Sequence, residues 1–280
     1  MTGQEKYKEI KRSGAVLYSC TFANYDWTFS PLAGTPGMQF VRFIDRRQYF
    51  THTWKYKPIP SGPELTTQTL TNRSCKLFPG KLFPEAALAV YIDGNILVKS
   101  DISPLLDEFL ASGADIALFP HPSGRTVAEE IEFALLVGRI PQTESAAAEK
   151  QRADYVSLGV IDDLITENSI IFWNLASPLS TPIGEVWWRE LRHYTLRDQI
   201  SLPAVLKEVG PRIHFWGWHF NDGINPYFTG YTHKPRNKIA RARALIYLMK
   251  DYYLGYYLIF RGMKAIGVLR RSVRRLLGRR

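Results

Sequence analysis

The sequence predicts an α/β fold with a mostly parallel central sheet, followed by a separate amphipathic helical tail, on three observations. Short apolar runs of strand length, each ending in a polar loop, recur at residues 15–22, 38–44, 88–92 and 116–119. Segments with helical spacing lie between and after them, an alternation that joins parallel strands through crossover helices. From Asn237 onward apolar residues instead recur every three or four positions among lysines and arginines.

In chain order, the first run leads into Ala23-Asn24-Tyr25-Asp26, the second ends at Asp45, and the third opens onto Asp93-Gly94-Asn95. Residues 104–110 have helical spacing and precede a strand that leads into the loop His121-Pro122-Ser123-Gly124. Helices are expected at 126–137 and 145–155, a strand at 169–173, and helices at 183–194 and 199–209, with Asp198 placed to cap the last. Residues 211–233 are aromatic and glycine-rich and read mostly as loop. No internal repeat or low-complexity linker divides the chain, so one catalytic domain is expected over 1–235 and a tail over 236–280.

With 45% hydrophobic and 22% charged residues in 280, the composition is that of an ordinary globular protein. Its net charge of +10 is uneven: residues 234–280 hold 14 Lys or Arg and one acid, Asp251, leaving the remainder slightly acidic. Cys20 and Cys75 are too few for a disulfide framework or a structural zinc site and fit a reducing compartment. Residues 1–12 are charged and lack the apolar core of a signal peptide, so a cytoplasmic location is expected. Asn72-Arg73-Ser74 is a chance match to a glycosylation acceptor.

The tail presents Ile239, Ala242, Ile246, Met249, Tyr253, Tyr256, Phe260, Met263, Ile266, Leu269, Val273 and Leu276 at helical spacing, with Arg270, Arg271, Arg274 and Arg275 on the opposite side. Lys250 and Asp251 interrupt its most apolar stretch, so it reads as one or two interfacial helices rather than a membrane span. The expected partner is an anionic membrane surface, on the inner face. Nucleic-acid binding by the Arg-rich end ranks last, because it leaves the apolar side unexplained.

Asp93 and Asn95, two apart after an apolar strand, would project to one side in extended geometry, and two oxygen-bearing groups there can hold a hard cation with the help of substrate phosphates. Such a cation stabilises a departing diphosphate. Arg73 and Lys76, three apart on an expected helix, share a face and can add cationic contacts to the same phosphates. On spacing alone, an Asp-Gly-Asn turn that reverses the chain is the favoured reading.

Several segments, in order, alter that balance: Ser19 through Asp26, Asn72-Arg73 with Lys76, Leu82-Phe83-Pro84 leading into Tyr91-Ile92-Asp93-Gly94-Asn95, and Trp187-Trp188 followed by Arg197-Asp198-Gln199-Ile200-Ser201. Over residues 15–210 the chain resembles the glycosyltransferase-like family first catalogued as domain of unknown function 616. The resemblance implies a GT-A-like nucleotide-sugar fold with Asp93-Gly94-Asn95 in place of an Asp-x-Asp motif. The second carboxylate is absent, so the implied divalent cation, Mn or Mg, would be held more weakly.

Arg197-Asp198-Gln199 looks like the segment that glycogenin-like transferases place beside donor sugar and acceptor. Asp198 and Gln199 are therefore the catalytic candidates, Asp198 either as base or as orienting group, or else as a plain helix cap. The resemblance further places Tyr25 and Asp26 at the nucleotide, with Arg42 and Asp45 as weaker candidates. It puts Arg73, Lys76, Asp93 and Arg197 at the donor phosphates, and His121, Arg125 and Trp188 near donor sugar or acceptor. His219 joins Asp93 and Asn95 as a metal ligand, in competition with His214 and His233. Glu129 and Glu130 read as acids at a helix start. The implied partners are a nucleotide-sugar donor and a glycan or lipid-linked acceptor, in cell-surface polysaccharide synthesis. The alternative is a non-catalytic nucleotide- or glycan-binding protein with a degenerate metal site.

Overall fold

A computed structural model of the chain describes residues 14–22, 25–27, 29–45, 53–220, 222, 225–233, 235 and 237–276, with side chains as far as Ile266. Residues 1–12, Ala23-Asn24, and the side chains of Leu269, Arg270, Arg271, Val273, Arg274, Arg275 and Leu276 lie outside what is described. The chain divides into two compact units, Met1–Gly230 and Tyr231–Arg280.

The first unit is built on a seven-stranded sheet formed by β1 (Ala15–Thr21), β2 (Met38–Ile44), β3 (Lys55–Pro58), β4 (Leu88–Ile92), β6 (Ile116–Pro120), β7 (Thr166–Asn174) and β8 (Ile213–Phe215), in the order β3-β2-β1-β4-β7-β6-β8. A separate antiparallel pair joins β5 (Ile96–Val98) to β9 (Phe228–Gly230). The expected α/β class and mostly parallel sheet are observed. β5 is too short to stand out in the sequence, and β3, β8 and β9 are both short and mixed in polarity, the last two within the stretch read mostly as loop.

One strand departs from the expected pattern, because β7 runs antiparallel to both neighbours, β4 and β6. The excursion between β6 and β7 closes at its own base: Thr126 bridges Leu164, the Val127 N–H donates to Asp163 O at 2.9 Å, and the Ile165 N–H to Arg125 O at 3.0 Å. The chain therefore re-enters the sheet at the edge it left, and can only run backwards.

The strands read as continuous apolar runs because both faces of the sheet are covered. On one face Leu17, Val90, Phe119 and Phe172 pack against Leu105, Leu106 and Phe109 of α3 (Ser103–Ser112). On the other, Val16, Tyr18, Cys20, Tyr91 and Trp173 pack against three helices: α1 (Gln68–Leu77), α6 (Ser180–His193) and α7 (Asp198–Val209). The four-residue α2 (Pro79–Leu82) follows α1. A satellite core joins Ile200 and Ala204 of α7 to α4 (Val127–Leu136) and α5 (Ser145–Leu158).

Two helix starts matter for the site. Thr126 and Glu129 form a capping box that fixes α4 directly after the β6 loop. At α7 the cap position belongs to Arg197, without a side-chain cap bond, and Asp198 is the first helical residue. Asp198 is thus not the helix cap, and its carboxylate is directed elsewhere.

In the second unit, α8 (Lys238–Met249) is capped by Asn237, whose side chain accepts from the Ile239 and Ala240 N–H groups, and α9 (Leu254–Leu276) follows. Ile239, Tyr247, Leu254, Leu258, Ile259 and Ile266 are exposed. A groove between the helices is lined by Lys238, Ile239, Ala242, Arg243, Ile246, Met263 and Ile266. Among the described residues no helix is long and apolar enough to cross a membrane.

Candidate active site

β1, β4, β6 and β8 all point the same way, so the segments that follow them emerge along one edge of the sheet, where β7 begins. That edge gathers Tyr25 and Asp26 after β1, Asp93 to Asn95 after β4, His121 to Arg125 after β6, Glu167 at the start of β7, and Trp216 to Phe220 after β8. Ligands of open α/β sheets bind beyond the carboxyl ends of the strands.

Asp93 to Ile96 form a turn, closed by the Ile96 N–H donating to Asp93 O at 3.1 Å. The extended geometry expected for Asp93 and Asn95 is therefore replaced by the reversal that spacing alone favoured, because β5 must double back to pair with β9. Gly94 is required there: a Cβ would lie 2.7 Å from Asp26 Cβ and 2.8 Å from Asp26 Oδ2. Asp26 is thereby seated against the Asp93 turn, while Tyr25 beside it is exposed. Arg42, wholly buried, holds the Asp26 loop from below by donating to Trp27 O at 3.0 Å and stacking 4.4 Å over Trp54. Burial brings the Arg42 guanidinium down to about 10.

The centre of the edge is a charged cluster. Lys76 Nζ donates to Asp198 Oδ2 at 2.6 Å, and Arg73 NH2 reaches Asp198 Oδ1 at 3.1 Å. Lys76 is 1% exposed and Asp198 4%. Burial alone pushes the Asp198 carboxyl up; Arg73, Lys76 and Arg197 together overcome it and hold it well below the usual carboxylate range. Tyr91 Oη donates to Asp93 Oδ1 at 2.7 Å, and Lys76 Nζ sits 5.2 Å over the Tyr91 ring. Asp93 is shifted the other way: burial pushes it up, against the opposing pull of Lys76, the Tyr91 hydroxyl and Arg73. Arg73, Lys76, Asp93 and Asp198 thus form one electrostatic unit, in which Lys76 and Asp198 are 122 residues apart in sequence.

A second hub adjoins it. Glu130, fully buried, accepts from Arg125 Nε at 2.8 Å and Arg197 NH2 at 3.1 Å, with Arg139 NH1 at 3.9 Å. Arg197 NH2 also donates to Gln199 Oε1 at 2.7 Å. Glu130 therefore ties the Arg125 loop to the Arg197-Asp198-Gln199 segment, a role that its reading as a helix-start acid missed. Tyr91 stood in the Tyr91-to-Asn95 motif without a role; its hydroxyl is the anchor of Asp93. His121 Nδ1 accepts from the Ser123 N–H at 3.2 Å, which leaves Nε2 facing Glu167 Oε2 at 3.8 Å. Burial lowers both His121 and His219.

Other candidates are placed differently. Trp188 packs edge-on against Phe78 at 5.9 Å, while Trp187 Nε1 donates to Ser201 Oγ at 3.0 Å and so fixes α6 to the first turn of α7. After burial, the charges that act most on His219 are Glu167 and Asp222, not Asp93. His214 pairs with Glu108 at 3.2 Å.

The residues present fit the expected divalent cation poorly. Asp93 gives one oxygen to Tyr91 and stands in the field of Lys76 and Arg73, Asn95 adds no charge, and His219 belongs to another group. Among the described residues no three of His, Cys, Asp or Glu converge as a metal cradle.

A mostly parallel sheet with a charged cluster and a tight acidic turn at its carboxyl edge suits a glycosyltransferase-like protein. The profile of the TOD1/MUCI70 glycosyltransferase-like domain matches residues 48–225, well over half the chain, and the chain belongs to that family. The match covers Arg73, Lys76, Asp93 and Asp198 but begins after the Ser19-to-Asp26 motif. Among solved structures, the WbbM bifunctional glycosyltransferase is similar at 13% identity and a TM-score of 0.44, over 72% of this chain and 38% of that one. The chain thus spans well under half of that protein, and a likeness of that size adds no argument. No curated protein matches the chain.

Proposed function

We propose that the chain transfers a glycosyl group from a nucleotide-sugar donor to a hydroxyl of a glycan or lipid-linked acceptor, in the assembly of a cell-surface polysaccharide. The observation that carries the reading is the Arg73–Lys76–Asp198 cluster beside Asp93, at the sheet edge where such folds take ligands, in a glycosyltransferase-like chain. Transfer leaves negative charge on the departing diphosphate and positive charge at the anomeric carbon. Arg73, Lys76 and Arg197 answer the first need. Asp198, held ionised, is a weak base but a fixed negative charge, so it suits orienting the sugar or stabilising the positive centre better than removing a proton. On this reading Tyr25 and Asp26 would meet the nucleotide, and His121 and Arg125 the sugar or acceptor.

A donor-hydrolysis screen tests this reading. Wild-type protein is expected to release nucleoside diphosphate slowly from one member of a panel of nucleotide sugars, and the Asp93→Ala variant is not. Silence across the panel, with and without Mn²⁺, supports the second reading, a binding protein without catalysis, which Asn95 in the place of a carboxylate favours.

The tail completes the proposal. Exposed apolar and tyrosine side chains alternate with Lys238 and Arg243 on α8, Lys250 just after it, and Arg261 and Lys264 on α9, a composition suited to the cytoplasmic face of an anionic membrane. Co-sedimentation with vesicles containing anionic lipid, lost with neutral lipid or high salt, is the expected result. Equal recovery with neutral vesicles contradicts it.

A further inference from the structure

We propose that this site binds the diphosphate of its donor through fixed side-chain cations, with no divalent ion required. The inference rests on the transferase reading above and concerns how its substrate is held.

The charge inventory carries it. Around the carboxylates Asp93, Asp198 and Glu130 stand five cations: Arg73 and Lys76 on Asp198, and Arg125, Arg139 and Arg197 on Glu130. The cluster is therefore positive before any ligand arrives, opposite in sign to a diphosphate. An all-protein site for a hard cation is built the other way, from converging carboxylates and carbonyls. Here a divalent ion approaching Asp93 would meet the ammonium of Lys76 and the guanidinium of Arg73, the cations whose fields act most on Asp93. Asp93 Oδ1 is already the acceptor of the Tyr91 hydroxyl.

The cations are also prepared for an oxyanion. Lys76 and Asp198 are nearly sealed from solvent, so the ammonium is held in one place rather than waving on a flexible stem. Arg73 Nε and Arg197 Nε are buried donors that make no hydrogen bond among the described residues. Planar guanidinium groups with donors unspent match phosphate oxygens in pairs. Glu130 and Gln199 both accept from Arg197 NH2, so its orientation is set before binding. The neutral amide of Asn95 is consistent with this arrangement, since a site that needs no metal has no use for a second carboxylate at that position.

The test is calorimetric titration of the full chain with UDP, GDP, CDP and ADP, each in excess EDTA and again in excess Mn²⁺. At least one nucleoside diphosphate is expected to bind, with a Kd that differs by no more than about threefold between the two buffers. Arg73→Gln and Arg197→Gln, checked for folding by thermal melting, are expected to weaken that binding about tenfold or more in both buffers. Binding that disappears in EDTA and returns with Mn²⁺ overturns the metal-free proposal and leaves the transferase reading standing. Binding in EDTA that folded Arg73→Gln and Arg197→Gln proteins retain in full overturns the assignment to these cations. Failure of all four nucleotides to bind in either buffer overturns both readings.

Discussion

Lys76 on α1 and Asp198 at the start of α7 meet in a 2.6 Å ion pair almost closed to solvent. Nothing in the local sequence of either helix requires the other. What brings them together is the sheet, which packs both helices on one face, and the Trp187–Ser201 hydrogen bond that locks the first turn of α7 in place. Removing one partner of such a pair leaves a buried charge uncompensated, which is costlier than losing the attraction itself.

Asp198→Asn is therefore expected to destabilise the protein by about 3 kcal/mol at neutral pH, read by urea unfolding. Because the native state holds this carboxyl below its ordinary range, its stabilisation is complete above the unfolded carboxylate pKa and is lost as pH falls through the lower folded value. The gap between wild type and variant should narrow in acid. A gap that is constant down to strongly acidic pH contradicts this account.

Gly94→Ala places a methyl group against Asp26, whose Cβ and Oδ2 would lie 2.7 and 2.8 Å away. A loss of about 1–3 kcal/mol is expected, as for overpacking elsewhere. Asp26→Gly should recover most of it, so the double mutant should be more stable than the sum of the singles; strict additivity would show that the two loops do not touch.

Gly184 tells the same story between helices. A Cβ there would run into the Leu77 carbonyl at the end of α1 and the Phe78 ring. Gly184→Ala should push α6 away from α1, lower the melting temperature, and weaken nucleotide binding through Arg73 and Lys76 although it touches neither. Unchanged melting would refute the close approach.

Cys20 and Cys75 place their sulfur atoms 3.1 Å apart, joining β1 to the helix that carries Arg73 and Lys76. Treatment with a small-molecule disulfide is expected to convert both thiols into one intramolecular disulfide, with two reduced thiols released from the reagent and two hydrogens lost from the protein mass. The reaction should be slow, since burial and the neighbouring thiol push Cys20 up and suppress its thiolate. Separate adducts on each cysteine, or a covalent dimer, are the results that count against it.

Much of the fold was legible because burial on both sheet faces writes strands as unbroken apolar runs, as in 15–21 and 88–92. The direction of β7 was not, since it depends on the Thr126–Leu164 closure, a contact between segments with no shared pattern. Asp198 was found, as a catalytic candidate or a plain helix cap, but its ion pair was not, because an acid at a helix start looks the same whether it caps the helix or holds a lysine from another one. Glu130 did carry a signal: it shares the inward stripe of α4 with Val127, Ile131 and Ala134, and an acid on such a stripe calls for buried cations. The partners themselves, Arg125 and Arg197, are set by tertiary structure alone.

The most direct test of the account is the structure of a crystal soaked with whichever nucleoside diphosphate binds. The diphosphate is expected against Arg73, Lys76 and Arg197, with the base towards Tyr25 and Asp26 and Asp93 within reach of the ribose or phosphates. A nucleotide seated away from Arg73, Asp93 and Asp198 would contradict the central claim.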